Sequence, residues 1–513
     1  MKTLVRFIVG LGVLVILIPG AYLFTSDLME SVYQYRSPLK DAPPAAGEPL
    51  GTTLTHRLVF ILVDALREDT SLNAAVMPEL NRLRQLGAWA TMHSRPPSYS
   101  EAAYSVLLTG AWPDLSDGPA FNLDYADIPT FTQEDLFSTA NRVGLESGIS
   151  ANYWFEKLVP QPAVSYSFYT PLEDQTADRQ VVDAALPWLK AGEAQLVFIH
   201  LDQVDYAGHY EGGARDALWN AAAQRADALI AEIIATLDLN RDTLFICSDH
   251  GQIDQGGHGG PEEVVLVEPF VLVGAGVKPG HYEDVQMVDV APTLATLLGT
   301  SLPASSQGRP LTHMLALSEE QNRKVQSALQ EQQNRLARAY FSAIDMSAPV
   351  AEGGEVVSAV HRAMEKARDQ RLAKERLPRF LLAIVLLVLP GVAVIWYRRS
   401  RKMPFYPLVW VPVGALVYVI VFHLIFAVLG GNPYSFSMVA SQEKLLMTIL
   451  GTTLIAFVPA WLLFILVRKT VTQAPRLAVE GTLGFVYGLL YCCALPVLWF
   501  YALYGVSFTW TLP

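Results

Sequence analysis

Cysteine is almost missing from this 513-residue chain: there are three, Cys247 within one apolar run and the adjacent Cys492 and Cys493 within another. Without spaced pairs there is no disulfide framework and no thiolate metal site. Positive charge is also in deficit. Lys and Arg total 37 against 49 Asp and Glu, a formal net charge of -12, and an acidic chain is a poor match for a phosphate backbone. Nucleic acid is therefore set aside as a partner. Charge of either sign is scarce, at 17% of residues, while hydrophobic side chains reach 51%. That balance excludes a disordered chain and is more apolar than an ordinary soluble enzyme, so part of the chain is expected in lipid. A chain of this length is expected to hold more than one structural unit.

The lipid-bound parts are legible as long uncharged runs. Residues 4–24 carry one charge near their start and are otherwise apolar over a bilayer's thickness, which reads as an anchor. A cleaved signal peptide is the competing reading, but no small-x-small cleavage site follows. Four more runs, 380–397, 405–429, 445–467 and 481–508, hold no Asp, Glu, Lys or Arg, and each is long enough to cross. With a cytoplasmic N-terminus the inner flanks hold Lys2, Arg6, Arg398, Arg399, Arg401, Lys402, Arg468, Lys469 and Arg476, against Lys444 alone in the short outer loop 430–444. This bias predicts an integral protein of the cell membrane with the long segment between the first two runs outside. His423 is the lone ionisable side chain within the four C-terminal runs, too little for an ion pathway.

The expected organisation is an anchor at 1–24, a Pro- and Gly-rich linker at 25–55, a catalytic domain at 56–316, a polar helical stalk at 317–378 and a four-helix membrane region at 379–513. Within the domain, short apolar runs at 58–64, 146–152, 195–202, 243–250 and 269–277 alternate with helically patterned segments. That rhythm predicts an α/β fold with a mostly parallel central sheet, whose ligands gather outside the carboxyl ends of the strands.

What stands at those ends is chemically suggestive. Asp64 closes the first run, Asp202 and Asp205 follow the third, and Asp249 and His250 close the fourth. Any one of them is equally a helix cap. Together they are harder to dismiss, because Asp205 and His209 in DYAGH are spaced i, i+4 and face one side of a helix. The stretch SDHGQIDQGGHGG then brings Asp249, His250 and His258 into one glycine-rich loop. Carboxylates and imidazoles without thiolates suit Zn²⁺ or Mn²⁺. Three Asp and three His suffice for two ions, which in pairs serve displacement at phosphorus. The loop RPPSYSEAAYSVLLTG offers Ser98, Ser100 and Ser105 as hydroxyl nucleophiles, each also a plausible N-cap.

In this order the motifs resemble the alkaline phosphatase superfamily, in its type I phosphodiesterase and nucleotide pyrophosphatase branch together with the glycosylphosphatidylinositol (GPI) ethanolamine-phosphate transferases. VFILVDALRED, VDYAGH, SDHG and GGHGG carry the resemblance, which extends over roughly residues 57–312. It implies an alkaline-phosphatase-like three-layer domain and a nucleophile at Ser100, counted back from the Leu-Thr-Gly that closes its motif, with Ser98 as the other candidate. It further implies two divalent ions, zinc or manganese, one held by Asp64, Ser100, Asp249 and His250 and the other by Asp205, His209 and His258. The diesterase branch has an Asn three residues after the nucleophile where this chain has Ala103, so its substrate contacts do not transfer. Arg67, or Asn152 or Lys157, is the candidate replacement. The Cys/Ser-x-Pro-x-Arg motif of sulfatases is absent. The expectation is thus a membrane-anchored, metal-dependent phosphoester hydrolase or phosphotransferase working through a phosphoserine on the outer face, on a lipid or lipid-linked headgroup. The rivals are a nucleotide phosphodiesterase on soluble substrates and a non-catalytic scaffold.

Overall fold

Nine strands build one sheet: β1 (Arg57–Val63), β2 (Ala88–His93), β3 (Ser147–Asn152), β4 (Tyr166–Thr170), β5 (Leu196–Leu201), β6 (Asp242–Cys247), β7 (Val267–Gly274), β8 (Gly280–His281) and β9 (Val285–Gln286). Every residue of β1, RLVFILV, is buried, which requires cover on both faces. Side-chain alternation divides that cover into two cores. Leu58, Phe60 and Leu62 point into one, with Phe198 and Phe245; Val59, Ile61 and Val63 point into the other, with Trp219 and Val181. The result is the three-layer arrangement. In the computed structural model, residues 26–347, 355–402, 410–438, 442–468 and 475–512 are described, with 12, 15, 19, 20 and 22–24. The expected anchor at 4–24 lies largely outside the described residues, as does the start of the run at 405–429.

The strand order is β4-β3-β5-β1-β6-β7-β2-β8, with β9 also paired to β2. From β4 to β6 all neighbours are parallel. The expected strand at 269–277 departs from this, because β7 runs antiparallel to both β6 and β2. Neither β2 nor β4 is announced by an apolar run: AWATMH alternates buried and half-buried residues, and YSFYT is mostly half-exposed.

The helices that matter for the site are α1 (Ser100–Thr109), α2 (Gln175–Ala191), α3 (Gln203–Tyr210), α4 (Ala217–Ile234) and α5 (Val290–Leu298). Asp174 caps α2 and Asp216 caps α4, each side chain accepting from backbone N–H groups of the first turn. Two long helices follow, α6 (Glu319–Ala343) and α7 (Val356–Ser400). The segment expected as a stalk is a buttress: Leu336, Tyr340 and Phe341 of α6 pack with Val360, Met364 and Ala367 of α7, with Leu39 and with Trp510. Gln332 and Gln333 donate to the carbonyls of Ala304 and Ser306 on the domain. The expected junction at 378/379 falls inside α7, a single helix of 45 residues and roughly 65 Å.

The apolar half of α7 is long enough to cross a membrane, and its large side chains are bare, Leu381 at 58% and Trp396 at 70% exposure. Exposed apolar surface of this extent marks contact with lipid or protein. Three further helices accompany it: α8 (Trp410–His423), α9 (Gln442–Arg468) and α10 (Pro475–Tyr504). The turn after α8 returns to the domain through Ser437 and Gly260, and the tail after α10 does so through Phe508, which packs with Tyr99, Ala102 and Phe121. Phe508 donates its backbone N–H to Ser31 Oγ, and the Trp510 indole donates to Glu375.

Candidate active site

The carboxyl ends of β1, β5 and β6 converge where the chain switches from one side of β1 to the other, the usual place for a ligand in such sheets. Asp64 follows β1, His200 and Asp202 lie at the end of β5, Asp205 and His209 ride on α3, and Asp249 and His250 follow β6. Ser100 opens α1. Tyr99 rather than a serine is the capping residue, and no side-chain cap hydrogen bond forms. The Ser100 hydroxyl is thus spared for the site, with Oγ 3.1 Å from His250 Nε2.

Around Ser100 the acidic groups close in. His250 Nε2 lies 3.5 Å from Asp64 Oδ1 and 3.3 Å from Asp249 Oδ2. His258 Nε2 lies 3.1 Å from His209 Nε2 and 3.7 Å from Asp205 Oδ1, and His209 Nε2 is 3.4 Å from Asp205 Oδ2. The rings of His250 and His258 stack with centroids 3.8 Å apart, so the two groups adjoin. All six Asp and His residues singled out in the sequence are brought together with Ser100. Asp64, Asp249 and His250 form one close group, Asp205, His250 and His258 a second. His250 therefore belongs to both, where the resemblance assigns it to one.

Two of the histidines, His250 and His258, are aimed from behind. Nδ1 of His250 sits 3.0 Å from the Gly251 carbonyl, and Nδ1 of His258 is 3.1 Å from the Ser98 carbonyl. Donation from Nδ1 leaves Nε2 as a bare lone pair pointing inward, the tautomer a metal requires. Ser98 has a separate job. Its Oγ accepts from Gly259 N–H and donates to the Gly260 carbonyl, pinning the loop that carries His258. Gly259 stands at φ +106, and a Cβ there would sit 2.4 Å from the Tyr99 ring, so only glycine fits. Ser105 is packed away, bonded to the Ala102 carbonyl and to Ser116.

The electrostatics of this pocket call for cations. Burial pushes the Asp249 carboxyl well above its usual range, and the charge of Asp64 pushes it further. Burial also raises Asp205. Burial drives His258 well below the normal imidazole value, with His250 and His209 adding to the effect. Asp64 is the exception: burial would raise it, but hydrogen bonds from His200 and Tyr104 and the nearby His250 outweigh that and lower it. Asp64 Oδ1 and Asp249 Oδ2 are buried without a hydrogen-bond partner. Orphaned carboxylate oxygens facing converging imidazole lone pairs are unfavourable alone and fit divalent ions.

Two site residues, His200 and Tyr104, were not singled out in the sequence, and a third, Asp202, was noted at the end of its run but given no ligand role. His200 Nε2 is 2.9 Å from Asp64 Oδ2, Tyr104 donates a short hydrogen bond to the same oxygen, and His200 and Tyr104 lie 3.1 Å apart. Asp202 joins Asp64 and His200 in a third acidic and histidine group, and accepts from Asn152 Nδ2 at 3.1 Å. Their signals were faint but present: His200 breaks an otherwise apolar strand, Asp202 is two residues on and so on the same face, and Tyr104 is one helical turn from Ser100. Arg67, a candidate for substrate contact, is otherwise engaged. Its guanidinium bonds Asp69 at 2.5 Å and Asp254 at 2.9 Å and is 10% exposed, so it braces the loops around the site. Lys157 rests over the Tyr125 ring.

Residues 124–271 match the family model of type I phosphodiesterase / nucleotide pyrophosphatase. Human GPI ethanolamine phosphate transferase 2, catalytic subunit, is 26% identical over 56% of this chain and 33% of its own length. Mouse GPI ethanolamine phosphate transferase 1 is 25% identical over 56% of this chain and 34% of its own. These matches point to the alkaline phosphatase superfamily. The aligned part spans about a third of these curated relatives. Among solved structures, murine ectonucleotide pyrophosphatase / phosphodiesterase 5 aligns with a TM-score of 0.41 and 13% identity, over 48% of this chain and 96% of that one. The family-model match begins at residue 124, so Asp64 and Ser100 lie before it.

Proposed function

We propose that this protein is a membrane-anchored phosphodiester hydrolase or phosphotransferase that works through a phosphoserine at Ser100 and acts on a lipid or lipid-linked headgroup. The observation that carries the proposal is the buried Ser100 hydroxyl, free of any capping role and 3.1 Å from His250 Nε2, at the meeting point of two acidic and histidine groups. Asp64, Asp249 and His250 would hold one divalent ion beside Ser100, and Asp205, His209 and His258 a second. Zinc is the first choice for this donor set and manganese the second. Such ions, when bound, supply the positive charge that a phosphoryl group needs during in-line displacement.

The remaining work falls to the chain itself. Ser100 stands at the first turn of α1, where backbone N–H groups favour an anionic phosphoryl group. Its Oγ forms the new bond to phosphorus as the bond to the departing alcohol breaks, and the hydroxyl proton leaves with that alcohol. Water or an acceptor hydroxyl then takes the phosphoryl group and returns Ser100 to its starting state, so hydrolysis and transfer share every residue and differ in the second acceptor. The Nδ1 contacts of His250 and His258 keep both rings in the ligand tautomer throughout.

In this reading residues 1–24 and 379–513 anchor the chain, 56–316 carries catalysis, and the catalytic side faces out of the cell. The names of the transferase relatives support a GPI-like lipid-linked phosphoester as substrate. The bare apolar half of α7 supports presentation at a membrane. The matched family model keeps a nucleotide diester as the second reading. Full-length protein in detergent, given phosphatidylethanolamine, a nucleotide diester and an aryl phosphodiester separately, tests the choice by product mass. Cleavage of the lipid headgroup is expected, and turnover of the nucleotide with the lipid untouched would refute it.

A further inference from the structure

The turn that follows α8 reaches the histidine loop. Ser437 is fully buried, although it belongs to a short connection between two apolar helices. Its Oγ accepts the Gly260 N–H at 3.0 Å and donates to Glu262 Oε2 at 2.6 Å. Its neighbour Phe436 accepts a hydrogen bond from Tyr99 on its carbonyl and meets the Phe121 ring edge-on at 5.5 Å. Gly431 accepts from Gln255. The loop at 255–262 is therefore held from two sides: Ser98 grips Gly259 and Gly260 from the nucleophile loop, and Ser437 grips Gly260 and Glu262 from the helix-to-helix turn. His258 lies immediately before these grips, next to Gly259, and its aim depends on the same backbone. It sits two residues from Gly260, whose N–H donates to Ser437 Oγ.

We propose that Ser437 is a positioning residue of the active site, through which the membrane helices hold His258 in place for the second divalent ion. This rests on the reading that Asp205, His209 and His258 bind that ion. It deepens that reading by making the site incomplete unless the membrane helices are seated against the domain. It also limits the substrate. Because the α8–α9 turn bonds directly to the loop that carries His258, the site lies beside the ends of these helices, which favours a scissile phosphoester close to the membrane surface, as in a lipid headgroup or a short lipid-linked extension.

The test uses the full chain in detergent, stripped with chelator and titrated with zinc by calorimetry, with bound zinc counted after dialysis. Ser437→Ala is expected to weaken one of two zinc sites about 10–100-fold, the range for residues that orient a ligand from behind, and to leave the other unchanged. After dialysis it should retain about half the wild-type zinc. A lowered Tm with both sites binding as in wild type means that Ser437 only packs, and overturns the proposal. If Ser437→Ala does not fold, Glu262→Ala removes the acceptor that orients the Ser437 hydroxyl from the domain side and is held to the same criterion. Failure of the underlying two-ion reading is seen separately, as wild-type protein that takes up no stoichiometric zinc.

Discussion

Ser98 and Ser100 lie two residues apart on one loop and are given opposite roles by their contacts, which makes their alanine variants a sharp test. Among the described residues Ser100 Oγ makes one hydrogen-bond contact, with His250, and caps nothing, so Ser100→Ala removes the proposed nucleophile without orphaning a backbone group. Turnover of an aryl phosphodiester should fall about 10³-fold or more, with Tm unchanged or raised. Ser98 Oγ instead satisfies the buried Gly259 N–H and bonds the Gly260 carbonyl. Ser98→Ala strands that N–H, a loss of about 1–3 kcal/mol, or roughly 2–12 °C in Tm at about 2–4 °C per kcal/mol for a domain of this size. Because the Ser98 carbonyl that aims His258 survives the substitution, activity should persist at a reduced level and recover with added zinc. The assay is parallel: initial rates with an aryl diester, and thermal melting of the same samples. Near-normal turnover in Ser100→Ala together with its abolition in Ser98→Ala would refute the assignment.

Three further outcomes are expected. Tyr104→Phe removes the hydroxyl that donates to Asp64 and should raise the zinc concentration for half-maximal activity about 10–100-fold; an unchanged zinc titration would count against it. Trp219 is fully buried in the second core and bonds Thr70 through its indole, so Trp219→Ala should cost about 3–5 kcal/mol, read as loss of soluble, folded protein or a large drop in Tm. Asp289 is buried, accepts from the Arg309 and Gln286 backbones, and is pushed up to about 6 by burial. The folded state therefore holds its proton between about pH 4 and 6 while the unfolded state does not. Its contribution is fully present below about pH 4 and is lost as pH rises through about 6, a swing of up to ~3 kcal/mol. Relative to wild type, Asp289→Asn should thus gain Tm between pH 4.5 and 7.5; parallel profiles would contradict this.

Much of the site was legible because its chemistry is local. Asp205 and His209 share a helical turn, Asp249 and His250 are adjacent, and His258 follows in a glycine-rich loop, so donor type and spacing are visible without a fold. The parallel core of the sheet was legible for a similar reason, since β1, β5 and β6 must be apolar on both faces. What escaped has no local signature. The antiparallel setting of β7 depends on β2, whose alternating AWATMH carries no apolar run. His200 and Tyr104 approach Asp64 from 136 and 40 residues away, and Ser437 meets Glu262 across 175. Arg67 looked available because its partner Asp254 arrives from a loop distant in the chain. The polar composition of 317–378 suggested a solvated stalk, but a narrow stripe of Leu336, Tyr340 and Phe341 suffices to dock α6.

On the proposed function, the buried Asp and His groups hold two divalent ions in the service of Ser100. Metal analysis of the purified full-length chain, followed by stepwise removal with chelator while turnover of an aryl phosphodiester is recorded, tests it most directly. About two zinc or manganese ions per chain are predicted, as for other paired-ion phosphoryl sites, with turnover falling as they leave and returning when they are restored. Full turnover in chelator, from protein holding only traces of metal, would contradict it.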